Sequence, residues 1–129
     1  MEEVREGLFY TKEHEWVKIE DNFATFGITD HAQHALGDVT FVELPKAGAE
    51  LAQGKMFATI ESVKAASDVF APLSGIVVKV NSDLVNKPES INKSPYGEAW
   101  FVAVEIKNEA EKKNLMDAAA YKDYLGGLK

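Results

Sequence analysis

Apolar and polar positions alternate along much of this chain, the period of half-buried strands rather than of helices. Leu8-Phe9-Tyr10 and Glu15-Trp16-Val17-Lys18-Ile19 are short β-prone pieces. Glu20-Asp21-Asn22 then turns the chain into a second hairpin arm over residues 23–28. Thr29 or Asp30 is placed to cap a short helix over residues 31–36, which Gly37 ends. Residues 39–44 read as a strand in which Val39, Phe41 and Leu44 compete for the core. Turns at 45–48 and 54–55 lead into the β-prone run Met56-Phe57-Ala58-Thr59-Ile60. Strong strand patterns return at 76–80 and 100–106, separated by a loop-rich stretch from 81 to 98 whose breakers are Pro88, Pro95 and Gly97. Residues 109–125 are expected as one C-terminal helix, with Leu115, Met116 and Ala119 on its apolar stripe and Gly126-Gly127 as its stop. Many short strands with one small and one terminal helix make a mostly β, α+β domain, not a doubly wound sheet.

The chain also resembles itself. Gly37-Asp38-Val39-Thr40-Phe41-Val42 is similar to Gly75-Ile76-Val77-Val78-Lys79-Val80, and Phe57-Ala58-Thr59-Ile60-Glu61 to Phe101-Val102-Ala103-Val104-Glu105. Two such strand–loop–strand units suggest a pseudo-two-fold β-sandwich, joined by the turn that holds Lys64.

Lys64 is the chemically conspicuous residue. It lies between Met56-Phe57-Ala58-Thr59-Ile60 and Val69-Phe70, the layout of a lysine displayed at a hairpin tip. A primary amine on a rigid, protruding turn suits modification by a partner enzyme. A second reading is open at this stage. Ile60, Val63 and Ala66 or Val69 are spaced by three, so the segment could be an amphipathic helix carrying an ordinary Glu61–Lys64 surface pair. Against the helix stand β-branched Thr59, Ile60, Val63 and Val69, and Pro72 close behind.

Composition narrows the choices. The 129 residues are 46% hydrophobic, enough for one domain with a real core over 1–129. There is no cysteine, so any sulfur chemistry must arrive on a prosthetic group. A net charge of −7 speaks against nucleic acid and anionic membrane as partners. The acidic start, Met1-Glu2-Glu3, is unlike a secretory signal or an Arg-rich transit peptide, so a cytoplasmic protein is expected. His31 and His34 form an H-x-x-H on the short helix, but without cysteine or an obvious third ligand no metal site is expected. No G-x-S-x-G elbow surrounds Ser62 or Ser67, so a hydrolase is not expected either.

The run Ile60-Glu61-Ser62-Val63-Lys64-Ala65-Ala66-Ser67-Asp68 resembles the lipoylation motif of the glycine cleavage system H protein family. The likeness extends in order through Tyr10, His14-Glu15-Trp16, Gly27-Ile28-Thr29-Asp30-His31, Val42-Glu43-Leu44-Pro45, Ala71-Pro72-Leu73-Ser74-Gly75, Ser94-Pro95-Tyr96 and Leu115-Met116-Asp117, covering nearly the whole chain. It implies a lipoyl/biotinyl-type sandwich (a barrel-sandwich hybrid) with a lipoyl hairpin at about 56–72. Lipoate would be joined to Lys64 by an amide. Valine and alanine flank that lysine where biotin carriers typically have methionine. The resemblance assigns Glu61 and Gly75 to recognition by the attaching enzyme, a lipoate ligase or a lipoyl/octanoyl transferase. Glu15, Asp68 and His31 would line a cleft that shelters the loaded arm from water. It further implies a non-catalytic, monomeric carrier serving three enzymes: a pyridoxal-phosphate glycine decarboxylase, a tetrahydrofolate-dependent aminomethyltransferase and dihydrolipoamide dehydrogenase. The rival readings are a relay delivering lipoate to 2-oxoacid dehydrogenases, and an interaction module in which Lys64 stays unmodified.

Overall fold

The computed structural model describes residues 2–128; Met1 and Lys129, the ends of the expected domain, lie outside them. Among the described residues nine strands form two antiparallel sheets. The larger runs β1 (Phe9–Tyr10), β2 (Glu15–Glu20), β3 (Phe23–Ile28), β9 (Val102–Ile106), β8 (Gly75–Val80) and β5 (Glu50–Leu51), in that spatial order. The smaller has β6 (Met56–Ser62) at its centre, between β4 (Val39–Glu43) and β7 (Ala66–Phe70). The inner faces meet over Val17, Phe26, Ile60, Val69, Val77, Phe101 and Val104, all buried. This is the sandwich that the alternation predicts.

A second apolar cluster covers the outer face of the large sheet. Tyr10 and Trp16 oppose each other on β1 and β2, and Tyr96, Ala118 and Tyr121 close over them. Trp16 lies across β3 so closely that a Cβ on Gly27 would meet its ring at 2.5 Å. That contact is the reason for glycine in the Gly27-Ile28-Thr29 run, which sequence alone does not disclose.

Three expectations are corrected. Phe41 does not compete for the core. A bulge between Val39 and Phe41 turns both Val39 and Val42 inward and leaves Phe41 45% exposed. The stretch from 81 to 98 is not simply loop, since α2 (Ser82–Asn86) buries Leu84 and α3 (Ser90–Lys93) buries Ile91. The terminal helix is two pieces. A 3₁₀ turn spans Glu109–Asn114, and α4 spans Ala118–Gly127, so the two glycines fall inside the helix rather than after it. Between them Met116 forms a β-bridge with Tyr10, and Asp117 caps α4 by accepting the Ala120 N–H. The buried face of α4 is Ala118 and Tyr121; Ala119 is exposed.

The two similar units do fold as antiparallel pairs, β4 with β6 and β8 with β9, one in each sheet. Their registers are not equivalent. Val42 faces Ile60, but the matching Val80 faces Val102 while Val104 faces Val77. The Lys64 turn falls between the two units in the chain but belongs to the smaller sheet, and the crossing to the larger sheet comes after β7, at residues 71–74. No helix among the described residues is long and apolar enough to cross a membrane.

Candidate functional site

Lys64 stands at the tip of the β6–β7 hairpin, and the helical alternative is excluded. Ser62 shapes the turn. Its N–H donates to the Ala65 carbonyl at 2.8 Å, and its hydroxyl donates to the same oxygen while accepting the Ala65 N–H at 3.2 Å. The Val63 N–H donates to the Asp38 carbonyl at 3.0 Å, tying the tip to the chain that leaves α1 (Asp30–Leu36). Lys64 and Val63 are both exposed, so the amine is presented on a braced turn. Its aliphatic stem lies against Gly37, where an added Cβ would sit 3.2 Å from Lys64 Cε.

From Gly37, Leu36, Ala35, Ala32 and His31 run back along α1 as one wall of a cleft of about 350 Å³. Ile28, Ile60 and Val69 add apolar surface, and Glu13, His14, Glu15, Ser67 and Asp68 make the polar part. Its size is near the lower end for ligand sites, suited to one slender chain. Glu15, Asp68 and His31, far apart in sequence, therefore line one cleft.

Glu15 is not a solvated strand residue. It shares the inward face of β2 with Val17, and only 2% of it is exposed. One carboxylate oxygen accepts from the Thr11 hydroxyl at 2.5 Å, the other from the Phe70 N–H at 3.1 Å. Burial pushes its pKa up to about 7, with those hydrogen bonds pulling partly the other way. His14 packs against His31 with ring centroids 4.2 Å apart and the rings tilted by 34°. Burial, with His31 beside it, lowers the His14 pKa to about 4, so the ring is neutral. His14 Nδ1 lies 2.8 Å from the Tyr121 hydroxyl, which also meets Thr29 Oγ1 at 2.9 Å. His31 Nδ1 lies 2.9 Å from a Glu2 carboxylate oxygen, whereas His34 is 3.9 Å from Asp30. The two histidines of the H-x-x-H thus take separate partners.

Glu61 is exposed on β6, one residue before the turn, and pairs across the sheet with Phe41 and Ala66. Gly75 is elsewhere, in the large sheet, and does not have the positive φ of a turn glycine. Its constraint is close approach, because a Cβ would sit 2.4 Å from the Glu105 carbonyl oxygen. Reasoning from sequence missed Ser62, Gly37, Thr11 and Tyr121. Of these only Ser62 had a local signal, a hydroxyl at the start of a tight turn.

A lysine held out on a braced hairpin, beside a narrow cleft containing a buried carboxylate, defines a carrier domain of the lipoyl type. The sequence profile described as Glycine cleavage H-protein matches residues 8–127. A glycine cleavage system H protein of Thermotoga maritima is 56% identical over 115 residues, covering 89% of this chain and 93% of that protein. One from Thermoanaerobacter sp. (strain X514) is 50% identical over 123 residues, covering 95% and 97%. The crystal structure of a glycine cleavage system H protein from Mycobacterium marinum matches with a TM-score of 0.85 at 34% identity, covering 95% of this chain and 99% of that one. The chain belongs to the glycine cleavage H-protein family. It is a lipoyl carrier of the glycine cleavage system, a non-catalytic component whose partners are the other components of that system.

Proposed function

We propose that Lys64 carries the lipoyl group through an amide on Nζ, and that the cleft beside it is where the loaded arm shelters. The observation that carries this reading is the continuity from the Lys64 stem, across Gly37, along α1 to Glu15. Bound lipoate would supply a disulfide that accepts the one-carbon unit of glycine and is later regenerated by oxidation. The chain's own residues bind and protect. Leu36, Ile60 and Val69 exclude water from an apolar arm. Glu15 has two of its roughly four lone-pair positions used by Thr11 and Phe70. The remaining acceptor capacity suits a cationic amine, with Asp68 as a second, exposed carboxylate and His31 on the opposite wall.

Glu61, exposed on β6 three residues before Lys64, would be read by the attaching enzyme. Gly75 contributes through the packing of β8 on β9 rather than by contact at the tip. The partners visited are the pyridoxal-phosphate glycine decarboxylase, the tetrahydrofolate-dependent aminomethyltransferase and dihydrolipoamide dehydrogenase, and the carrier acts as a cytoplasmic monomer. The test is the mass of the Lys64 peptide after expression in a host that makes lipoate. A lipoyl increment on Lys64, and loss of glycine cleavage in Lys64→Arg with the fold intact, is the expected result. A biotin increment, an unmodified lysine beside an active ligase, or full activity of Lys64→Arg would overturn it.

A further inference from the structure

Thr11 lies outside every motif that marks the site, yet its hydroxyl meets both the carboxylate and the backbone N–H of Glu15. The segment from Thr11 to Glu15 is a closed loop. The Thr11 N–H donates to the Glu15 carbonyl at 3.0 Å, and the His14 N–H donates to the Thr11 carbonyl at 3.1 Å. His14 itself takes a left-handed φ of 69° to close it. Inside this loop the Glu15 N–H donates to Thr11 Oγ1 at 3.2 Å, which leaves the single hydroxyl proton directed at Glu15 Oε1, 2.5 Å away. The Phe70 N–H holds the other oxygen from β7.

Among the described residues no lysine or arginine pairs with this carboxylate. The groups facing it are Glu13 and His14 from its own loop, His31 from α1 and Asp68 from β7, with Glu2 paired to His31. His14 is neutral, and the charge of Glu13 opposes ionisation of Glu15. The fixed donors that favour ionised Glu15 are therefore one backbone N–H and one threonine hydroxyl.

We propose that Thr11 is a positioning residue of the cleft: its hydroxyl aims the Glu15 carboxylate and favours its ionised form, the form that receives a cationic amine on the arm. The inference rests on the carrier reading above, but its first test does not. In the unlipoylated chain the Glu15 carboxyl is titrated by carbon NMR in wild type, Thr11→Val and Thr11→Ser. Loss of one charge-assisted donor raises the midpoint by roughly one pH unit in the valine variant. Serine, which keeps the hydroxyl and drops the methyl, restores it. An unchanged midpoint in Thr11→Val, or an equal shift in Thr11→Ser, would overturn the proposal.

The lipoylated, aminomethyl-loaded carriers are then compared for release of formaldehyde against pH. Release accelerates as pH falls and Glu15 is protonated, and that limb moves up in Thr11→Val by the same interval as the midpoint. A midpoint that moves while the release profile stays fixed would keep Thr11 as the group that tunes Glu15 and overturn the role of the cleft in holding the arm.

Discussion

Gly37 serves two neighbours at once. It ends α1 with φ 75° and ψ −155°, a combination open essentially only to glycine, and its bare Cα leaves room for the Lys64 stem. Gly37→Ala therefore meets two penalties. Backbone strain costs on the order of 1–3 kcal/mol, and the new methyl pushes against Lys64 Cε. The expected outcome is a lower urea midpoint together with slower lipoate attachment at temperatures where the variant is fully folded. Attachment at the wild-type rate would show that Gly37 acts on stability alone. The hairpin position of Lys64 was legible from the strand-prone runs on either side of it, and the family resemblance named Glu15, Asp68 and His31, which the fold brings to one cleft. Their setting was not. Nothing local in Glu15-Trp16-Val17 says which of its alternating faces is inward, and a carboxylate on the buried face runs against the usual exposure of glutamate. The contact of Gly37 with Lys64 joins residues 27 apart and leaves no mark in either local sequence.

At the scale of elements, the alternating strands were readable and the C-terminal helix was readable only in part. A continuous helix over 109–125 fits the spacing of Leu115 and Ala119, but the chain spends Leu115 and Met116 otherwise. The N–H and carbonyl of Met116 bond the carbonyl and N–H of Tyr10 at 2.8 and 2.7 Å, continuing β1 outward as a bridge. A bridge between residues 106 apart overrides local helical period. The new start was signalled by Asp117 followed by three alanines, an N-cap ahead of strong helix formers. The cap matters beyond the helix, because α4 carries Tyr121, stacked on Tyr10 at 4.4 Å and bonded to both His14 and Thr29. Asp117→Ala is expected to cost about 1 kcal/mol. Amide exchange should quicken first in α4 and then at His14 and Thr29, while the β6–β7 hairpin keeps its protection. Uniform quickening across the sandwich would mean that α4 and the cleft wall do not open as a local unit.

For the whole molecule, the consequence of placing His14 and Glu15 side by side is a pair of opposed titrations. Glu15 has its pKa raised to about 7, so between the ordinary glutamate value and 7 the folded protein binds more protons than the unfolded chain. Stability from this group is fully present below about 4.5 and is lost as pH rises to 7. His14 has its pKa lowered to about 4, so from 4 to the ordinary histidine value the unfolded chain binds more protons. Its contribution is present above about 6.5 and is lost as pH falls toward 4. The two slopes have opposite sign over nearly the same window and largely cancel. A shift of 2.5 units, from 4.5 to about 7, corresponds to about 3 kcal/mol for Glu15; the less buried His14 contributes a smaller amount. Wild type should therefore show a nearly flat urea midpoint from pH 4.5 to 6.5 and a decline just above it. Glu15→Gln removes the falling limb and exposes the histidine's rising one, so the variant should gain stability steadily from pH 4 to 6.5 and then level off. Parallel pH profiles for the two proteins would mean that Glu15 is already ionised in the folded state at pH 5. The raised proton affinity would then be wrong, and the cleft would present its anion across the whole physiological range rather than only near its upper half.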